Sequence, residues 1–574
     1  MTRPALKPEA EAETARAAVL LPLPLKSAYD YALMCGPVPR GTLVVAPLSG
    51  RETLGVVWGE AEGGVDDAKL KRATPLEGYP RLPESLCDFV DWVARYTLAP
   101  PGMVLALALR STSAFSPEIP RIAYVKGESA PHRLTSSRQR VLEIVGDGLA
   151  RSIPAIAEEA GVSPAVVRGL IECGALAETA LPEFAPLRAP EPDFVSAELN
   201  SEQRKAADTL IRAVSAQKFS ANLLDGVTGS GKTETYFEAI AEALRQGKQT
   251  LVLLPEIALT IQFLDRFASR FGVRPAEWHS DLSQKERKRI YRAAMNGEAR
   301  VIVGARSSLF LPFKELGLII VDEEHEQAFK QEDGVIYHAR DMAVVRARSE
   351  DCAIVLSSAT PSIESYVNAT SGKYEHLTLH RRHGNALLPE TKLIDLRHAR
   401  AEPGTWLSEP LREAIARTLE EGEQAMLFLN RRGYAPLTLC GSCGHKMVCR
   451  DCSAWLVEHR YRKRLMCHHC GYETQTPPAC PQCNVANSFI ACGPGVERVA
   501  EEFASVFPQA RMAIASSDTM HGPNETQAAI RAMAKREIDV LIGTQIMAKG
   551  HHFPELTLVG VVDADLGSAD GDMR

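Results

Sequence analysis

The residues Gly226-Val227-Thr228-Gly229-Ser230-Gly231-Lys232-Thr233 constrain this chain more than any other stretch. They follow the apolar run Ala221 to Leu224 and lead into a helical pattern at Glu234, so strand, tight loop and helix must form in direct succession. In that context the spacing G-x-x-x-x-G-K-[ST] predicts a phosphate-binding loop for ATP. The glycines let backbone N–H groups from Gly226 to Gly231 close around phosphates, and the following helix N-terminus favours the anion. Lys232 is expected to reach the β- and γ-phosphates and Thr233 to ligate Mg²⁺. From Asn200 to about Leu396, apolar β-type runs alternate with helical stretches, as a parallel sheet with crossover helices requires. The predicted class is multidomain α/β.

Such a loop needs a second carboxylate site. The apolar run Leu318 to Val321 ends in Asp322-Glu323-Glu324-His325, where Asp322 would hold Mg²⁺ and Glu323 would polarise the attacking water. By itself an acidic tetrapeptide after a strand is a solvated loop. Its place downstream of a phosphate loop decides for the catalytic reading.

Eight of the 13 cysteines fall between Cys440 and Cys483 as four CxxC pairs: Cys440/Cys443, Cys449/Cys452, Cys467/Cys470 and Cys480/Cys483. Tetrahedral Zn²⁺ takes four thiolates, so the cluster predicts two closed, structural Zn²⁺ sites. Iron–sulfur ligation and disulfides are the weaker rivals. Spacing leaves open whether the pairs combine sequentially or nested. With thiolates and metal counted the stretch is close to neutral, and the run Arg460 to Arg464 is equally a phosphate contact or a solvated face.

The net charge of −7 over 574 residues excludes bulk attraction to nucleic acid and leaves only local patches. No run of about 18 apolar residues is present, and the N-terminus lacks the basic region and small-residue cleavage site of a signal peptide. A cytoplasmic chain of several domains, outside the membrane, is expected. The reading is a disordered leader over 1–17, a β-rich domain over 18–110 and a winged-helix domain over 111–181, followed by a Pro-rich linker over 182–195. The winged-helix reading rests on Ile153 to Ala160, the turn Gly161-Val162-Ser163 and Pro164 to Cys173; plain helical packing is its rival. A first α/β lobe then covers 196–396, and a second lobe covers 397–439 and 487–574, split by the cysteine insertion over 440–486.

With these motifs in order the chain resembles the superfamily-two helicases, whose DEXH box matches Asp322 to His325. Ser358-Ala359-Thr360 resembles the motif that couples hydrolysis to strand movement, and Gln203 in Asn200-Ser201-Glu202-Gln203 resembles an adenine-reading glutamine. Pro255 to Leu259 and Gly304-Ala305-Arg306-Ser307-Ser308 resemble DNA-backbone motifs of the first lobe. Phe428 to Gly433 and Gly543 to Gly550 occupy the matching places in the second. The cysteine insertion directly after Asn430-Arg431-Arg432-Gly433, the segment Phe329 to Asp341 and Gly550-His551-His552-Phe553-Pro554 are similar to the PriA family, the bacterial primosomal (protein N′) replication-restart helicases.

That resemblance implies two RecA-like lobes, a 3′→5′ DNA helicase and ATPase acting at stalled or abandoned forks, and initiation of primosome assembly. It implies a pocket for a DNA 3′ end lined by Tyr29, Asp30, Gly50 and Lys71, and DNA contacts from Arg306, Phe329, Lys330, Tyr337 and Arg340. It implies nested metal sites, Cys440, Cys443, Cys480 and Cys483 for one Zn²⁺, and Cys449, Cys452, Cys467 and Cys470 for the other. The implied partners are forks, D-loops and single-stranded DNA, single-stranded DNA-binding protein, and primosome components including the machinery that loads the replicative helicase, on the bacterial nucleoid. The family continues past Leu558 to Asp563 into a Gly-Arg-Ala-Gly-Arg helix and a C-terminal DNA-binding domain, and neither is found before Arg574. The expectation is a truncated second lobe with exposed strand edges, lower stability and impaired hydrolysis. The alternative is an ATP-binding, fork-recognising scaffold that recruits partners without unwinding; a helicase acting on RNA is a third, weaker option.

Overall fold

The computed structural model describes residues 15–63, 65–66, 69–117, 120–255, 261–382, 389–395, 405–429, 437–440, 442–443, 445–452, 456–459, 464–467, 470–486, 488–492, 496–515, 523–544, 553–562 and 564. Residues 1–255 with 267–383 form one compact unit, and 256–266 with 384–574 the other. Among the described residues no helix is long and apolar enough to cross a membrane.

The first unit begins with a closed five-stranded barrel: β1 (Ala15–Leu20), β2 (Tyr29–Leu33), β3 (Leu43–Leu48), β4 (Arg51–Gly59) and β5 (Arg72–Pro75), in the order β1-β2-β5-β3-β4. The expected leader is three residues too long, because Ala15 to Ala17 pair with Leu33 to Tyr31 and Ala17 is buried. Two alanines and an arginine carry little hydrophobic signal, yet they continue the strand register. Ser49 and Gly50, both at positive φ (49° and 79°), join β3 to β4 as a two-residue turn with the twist a hairpin needs. Helices α1 (Glu84–Thr97) and α2 (Pro101–Ala108) follow. Then β6 (Arg121–Lys126) and β7 (Leu176–Leu181) pair antiparallel and enclose α3 (Ser136–Ile144), α4 (Ile153–Glu159) and α5 (Pro164–Glu172) in sequence. Val141, Ile156, Val167 and Leu170 form the small core of that piece.

The Pro-rich stretch is strapped down rather than free. Glu183 pairs with Lys288 at 2.8 Å, and Arg270 donates to the Pro192 carbonyl at 2.7 Å. Beyond it lies a seven-stranded parallel sheet of β8 (Ser220–Gly226), β9 (Gln249–Leu253), β10 (Ala276–Trp278), β11 (Val301–Gly304), β12 (Leu316–Asp322), β15 (Ala353–Ser358) and β16 (Glu375–Leu379). The order is β10-β11-β9-β12-β15-β8-β16, and β13 (Lys330–Gln331) with β14 (Tyr337–His338) makes a separate hairpin. The middles of the central strands are apolar, as burial on both faces requires: Leu223, Leu251, Ile319, Ile320 and Val321 are all fully buried. The connecting helices are α6 (Ser201–Ser215), α7 (Lys232–Arg245), α8 (Ile261–Phe271), α9 (Gln284–Asn296), α10 (Ala339–Ser349) and α11 (Ile363–Thr370). One apolar core runs from the barrel through α1 into this lobe, with Phe89 on Phe310 at 5.3 Å between ring centroids.

The second unit holds a four-stranded parallel sheet of β17 (Gln424–Leu429), β23 (Met512–Ala515), β24 (Val540–Gly543) and β25 (Leu556–Val562), ordered β23-β24-β17-β25. Its helices are α12 (Glu409–Glu420), α13 (Val496–Val506) and α14 (Pro523–Ala534), and Ile415, Leu427, Val499, Phe503 and Ile542 share its core. Between β17 and α13 the cysteine insertion builds its own antiparallel sheet, ordered β21-β20-β19-β18-β22, from β18 (Leu437–Cys440), β19 (Val457–His459), β20 (Arg464–Met466), β21 (Glu473–Gln475) and β22 (Phe489–Cys492). The insertion is wider than 440–486 because its first and last strands in sequence, β18 and β22, pair with each other from Leu437↔Cys492 to Cys440↔Phe489. Both lobes are RecA-like α/β layers.

Candidate nucleotide, DNA and metal sites

Three neighbouring strands end at one place. β12, β15 and β8 are adjacent and parallel, with Asp322 opposite Ser357 and Ser358 opposite Asp225, so the DEEH turn, Ser358-Ala359-Thr360 and the phosphate loop share the carboxyl edge of the sheet. Ligands of open α/β sheets bind at that edge. Val227, Thr228 and Gly229 are exposed at the loop tip, and Ser230 is buried beneath it. Gly229 and Gly231 lie at φ 77° and 79°, and a Cβ on Gly231 would sit 2.3 Å from the Gln203 amide nitrogen. The Lys232 ammonium donates to the Gly226 carbonyl at 2.9 Å; Thr233, half-buried, follows it as the second residue of α7.

The Gln203 side chain, expected to contact adenine, is engaged by partners within the chain. Its Oε1 accepts the Asn200 N–H at 2.8 Å while the Asn200 side chain accepts the Gln203 N–H at 2.9 Å, a reciprocal cap on α6. Its Nε2 donates to the Ser230 carbonyl at 2.8 Å. The side chain is buried, and these bonds turn it toward the phosphate loop as a clamp.

Asp322 is held from two sides: the Tyr236 hydroxyl donates to one carboxylate oxygen at 2.8 Å and the Glu323 N–H to the other at 3.1 Å. Tyr236 was not legible as a site residue, although it sits one helical turn beyond Lys232 on the same face of α7. Glu323 takes φ 48°, a left-handed conformation that costs a residue with a Cβ about 1–2 kcal/mol. Glu324 is fully buried and accepts from the Ser362 N–H (2.7 Å), the Ser362 hydroxyl (2.9 Å), the Ser365 hydroxyl (2.9 Å) and Arg340 (3.3 Å). His325 Nδ1 shares a 2.8 Å hydrogen bond with the Ser358 hydroxyl, whose oxygen also accepts the Thr360 N–H at 3.0 Å. The DEEH turn and the Ser-Ala-Thr segment are thus hydrogen-bonded to each other.

The segment after the turn corrects several expectations of DNA contact. Phe329 is fully buried; Tyr337 is buried edge-on against Phe310 at 5.5 Å between centroids, and burial pushes its phenol up to about 12. Arg340 is buried too, its guanidinium on Glu324 and on Asp341 (2.8 Å). The β13–β14 hairpin folds these side chains inward and leaves Lys330 and Ile336 exposed. Arg306, half-buried, donates to the Lys330 carbonyl and straps the hairpin to the turn after β11.

The barrel residues fare differently. Val45 pairs with Thr74 and Ala32 with Arg72, so the start of β2, the turn after β3 and the start of β5 share one rim. Tyr29 is 42% exposed there, and Lys71 and Gly50 are exposed. The Asp30 carboxylate accepts the N–H groups of Glu62 (3.1 Å) and Gly63 (3.0 Å), which pins the neighbouring loop to the rim.

The cysteines gather as two nested sets, Cys440, Cys443, Cys480 and Cys483, and Cys449, Cys452, Cys467 and Cys470, the sulfurs of each set lying within 4.8 Å of one another. Across the pairs the separations are 3.5 Å (Cys440–Cys483), 3.7 Å (Cys443–Cys480), 3.5 Å (Cys449–Cys470) and 3.4 Å (Cys452–Cys467). A tetrahedral metal with thiolate bonds of 2.3 Å sets its sulfurs about 3.8 Å apart, whereas a disulfide closes to about 2.05 Å. The sets fit four-coordinate metal ions. Backbone N–H groups of Asp451 and Gln482 donate to Cys449 and Cys480 sulfurs at 3.4 Å, as they do to thiolates. The helicase-like motif residues 256–259, 430–433 and 545–552, and 460–463 of the basic run, lie outside the described residues.

Comparisons with known proteins agree with this layout. The family description "3'DNA-binding domain (3'BD)" of PriA matches residues 18–110, "DEAD/DEAH box helicase" matches 200–368, and "PriA DNA helicase Cys-rich region (CRR) domain" matches 449–474. Replication restart protein PriA of Rickettsia conorii is 46% identical over 70% of this chain and 62% of its own length. That of Bacillus subtilis is 39% identical over 75% of this chain and 54% of its own. The chain therefore spans a little over half of the length of these relatives. Replication restart protein PriA of Chlamydia pneumoniae is 36% identical over 94% of this chain and 74% of its own length. With that coverage, and with barrel, nucleotide-site lobe and cysteine module in this order, the chain belongs to the PriA family of replication restart proteins.

Proposed function

We propose that the chain is an ATP-dependent 3′→5′ DNA helicase that recognises stalled replication forks and starts primosome assembly. The observation that carries this is the meeting of the phosphate loop, the DEEH turn and Ser358-Ala359-Thr360 at one sheet edge, with the last two hydrogen-bonded to each other. Backbone N–H groups of residues 226–231 would receive the phosphates, and Lys232 would exchange its Gly226 carbonyl for them. Thr233 and Asp322 would hold Mg²⁺, which supplies charge neutralisation on the phosphates, and Glu323 would orient water. Ser358, bonded to His325, carries changes at the DEEH turn into the following helix.

At the barrel rim Tyr29 is placed to stack on the terminal base of a DNA 3′ end and Lys71 to meet its phosphate, with Asp30 and Gly50 shaping the pocket. The β6/β7 piece with its three helices acts as a winged helix holding a duplex arm. The two cysteine sets would hold Zn²⁺, which cross-links a module whose own apolar core is small. The partners are branched and single-stranded DNA, single-stranded DNA-binding protein and the primosome components that load the replicative helicase, on the nucleoid in the bacterial cytoplasm.

Phosphate release with forked DNA is the test. DNA should stimulate it, and Lys232→Ala should lower it by at least about 10²-fold, the scale for removing a donor that stabilises transition-state charge. Equal rates for the two chains would remove the helicase reading.

A further inference from the structure

Glu324 has no part in the chemistry just described, yet it is fully buried and bonded by four donors from two helices. Three of them come from Ser362 and Ser365, at the start of α11, which follows Ser358-Ala359-Thr360. The fourth is Arg340 at the start of α10, itself buried. A carboxylate so far from water is costly to bury without such partners, and packing alone would be served as well by an apolar side chain of its volume.

Its position in the chain gives the bonds a purpose. Asp322 is held by Tyr236 and the Glu324 N–H donates to the Ser357 carbonyl at 3.1 Å, so the residue between them, Glu323, is fixed at both ends in its left-handed conformation. A strained backbone persists only where its surroundings over-determine it. We propose that Glu324 is a positioning residue for ATP hydrolysis, with Arg340 as its counter-charge: the four bonds hold the turn that presents Glu323. Arg340 then serves the nucleotide site from inside the lobe. The inference rests on the ATPase reading above.

The test compares DNA-stimulated ATP hydrolysis by the full chain with that of Glu324→Gln, Arg340→Met and the double variant. Nucleotide affinity is read with a fluorescent ATP analogue, and stability by thermal unfolding. In Glu324→Gln, kcat should fall on the order of 10–10²-fold, the scale of a small misplacement of a reacting group, with nucleotide affinity retained. The double variant, which leaves no unpaired buried charge, should recover stability while kcat stays low; it carries the comparison if a single variant fails to fold. A kcat near that of the parent in Glu324→Gln, or a kcat that recovers together with stability in the double variant, would overturn the inference. A parent chain that binds ATP without DNA-stimulated hydrolysis would instead overturn the ATPase reading, and this inference with it.

Discussion

Tyr29 and Lys71 on the barrel rim, and Phe329, Tyr337 and Arg340 behind the DEEH turn, are the same chemical kit of aromatic rings beside a cation, placed in opposite surroundings. On the rim, among the described residues, Tyr29 beside the strand ends and a two-residue turn is 42% exposed, and Lys71 is exposed. Behind the DEEH turn Tyr337 of a short hairpin packs on Phe310, Phe329 is fully buried, and the cation meets buried Glu324 instead of solvent. An aromatic-plus-cation pattern therefore identifies a nucleic-acid surface only where the backbone holds it outside a core. Of the residues expected to contact DNA in the second region, Lys330 is exposed and Arg306 half-buried, while Phe329, Tyr337 and Arg340 are buried.

This contrast can be broken by mutation. The largest effect is expected for Phe329→Ala, which empties a core position and should cost about 3–5 kcal/mol of stability. Chemical denaturation measures it, and DNA affinity per folded molecule should be unchanged; weakened DNA binding at unaltered stability would restore the DNA-contact role of Phe329. Tyr29→Ala should do the reverse. Its affinity for a strand with a free 3′ end should drop by about 1–3 kcal/mol, the value of one base stacked on an aromatic ring, while the unfolding midpoint holds. Fluorescence anisotropy against a 3′-blocked strand isolates that contribution, and equal losses on both strands would deny a 3′-end pocket.

Smaller effects sharpen the picture. Lys71→Gln should reduce the slope of log affinity against log salt by about 1 without altering base preference. An unchanged slope would take Lys71 off the phosphate. Tyr337→Phe should stay within about 0.5 kcal/mol of the parent in stability, because the buried hydroxyl has no hydrogen-bond partner among the described residues. A clear loss of DNA-stimulated hydrolysis in Tyr337→Phe would show that this hydroxyl reaches beyond the core.

Much of the nucleotide site is legible in the residues themselves, since the phosphate loop and the DEEH turn are local: each is a few neighbouring residues at the end of a strand, and their spacing carries the chemistry. The parts that were not legible are assembled from distant positions. Gln203 looks like a base reader in its motif but spends its amide on its own helix cap and on Ser230. Tyr236 gains its role from a carboxylate 86 residues away, and Glu324 from serines 38 and 41 residues on. The strapping of the Pro-rich stretch by Lys288 and Arg270 is of the same kind, because proline content speaks to local stiffness and not to what lies across the surface.

The cysteine module divides along the same line. Four CxxC pairs were enough to predict two four-thiolate sites, because the paired spacing is itself the chelating unit. Which pairs share a site was decided by the sheet: β18 and β22 pair antiparallel and bring the first and last pairs together, while the hairpin of β19 and β20 closes the middle two. By itself the sequence determined the ligand types, the strand-to-helix loop and the order of the lobes, all properties of neighbouring residues. Only the tertiary structure decided which buried groups face one another across strands and helices, because burial and pairing depend on the path of the whole chain.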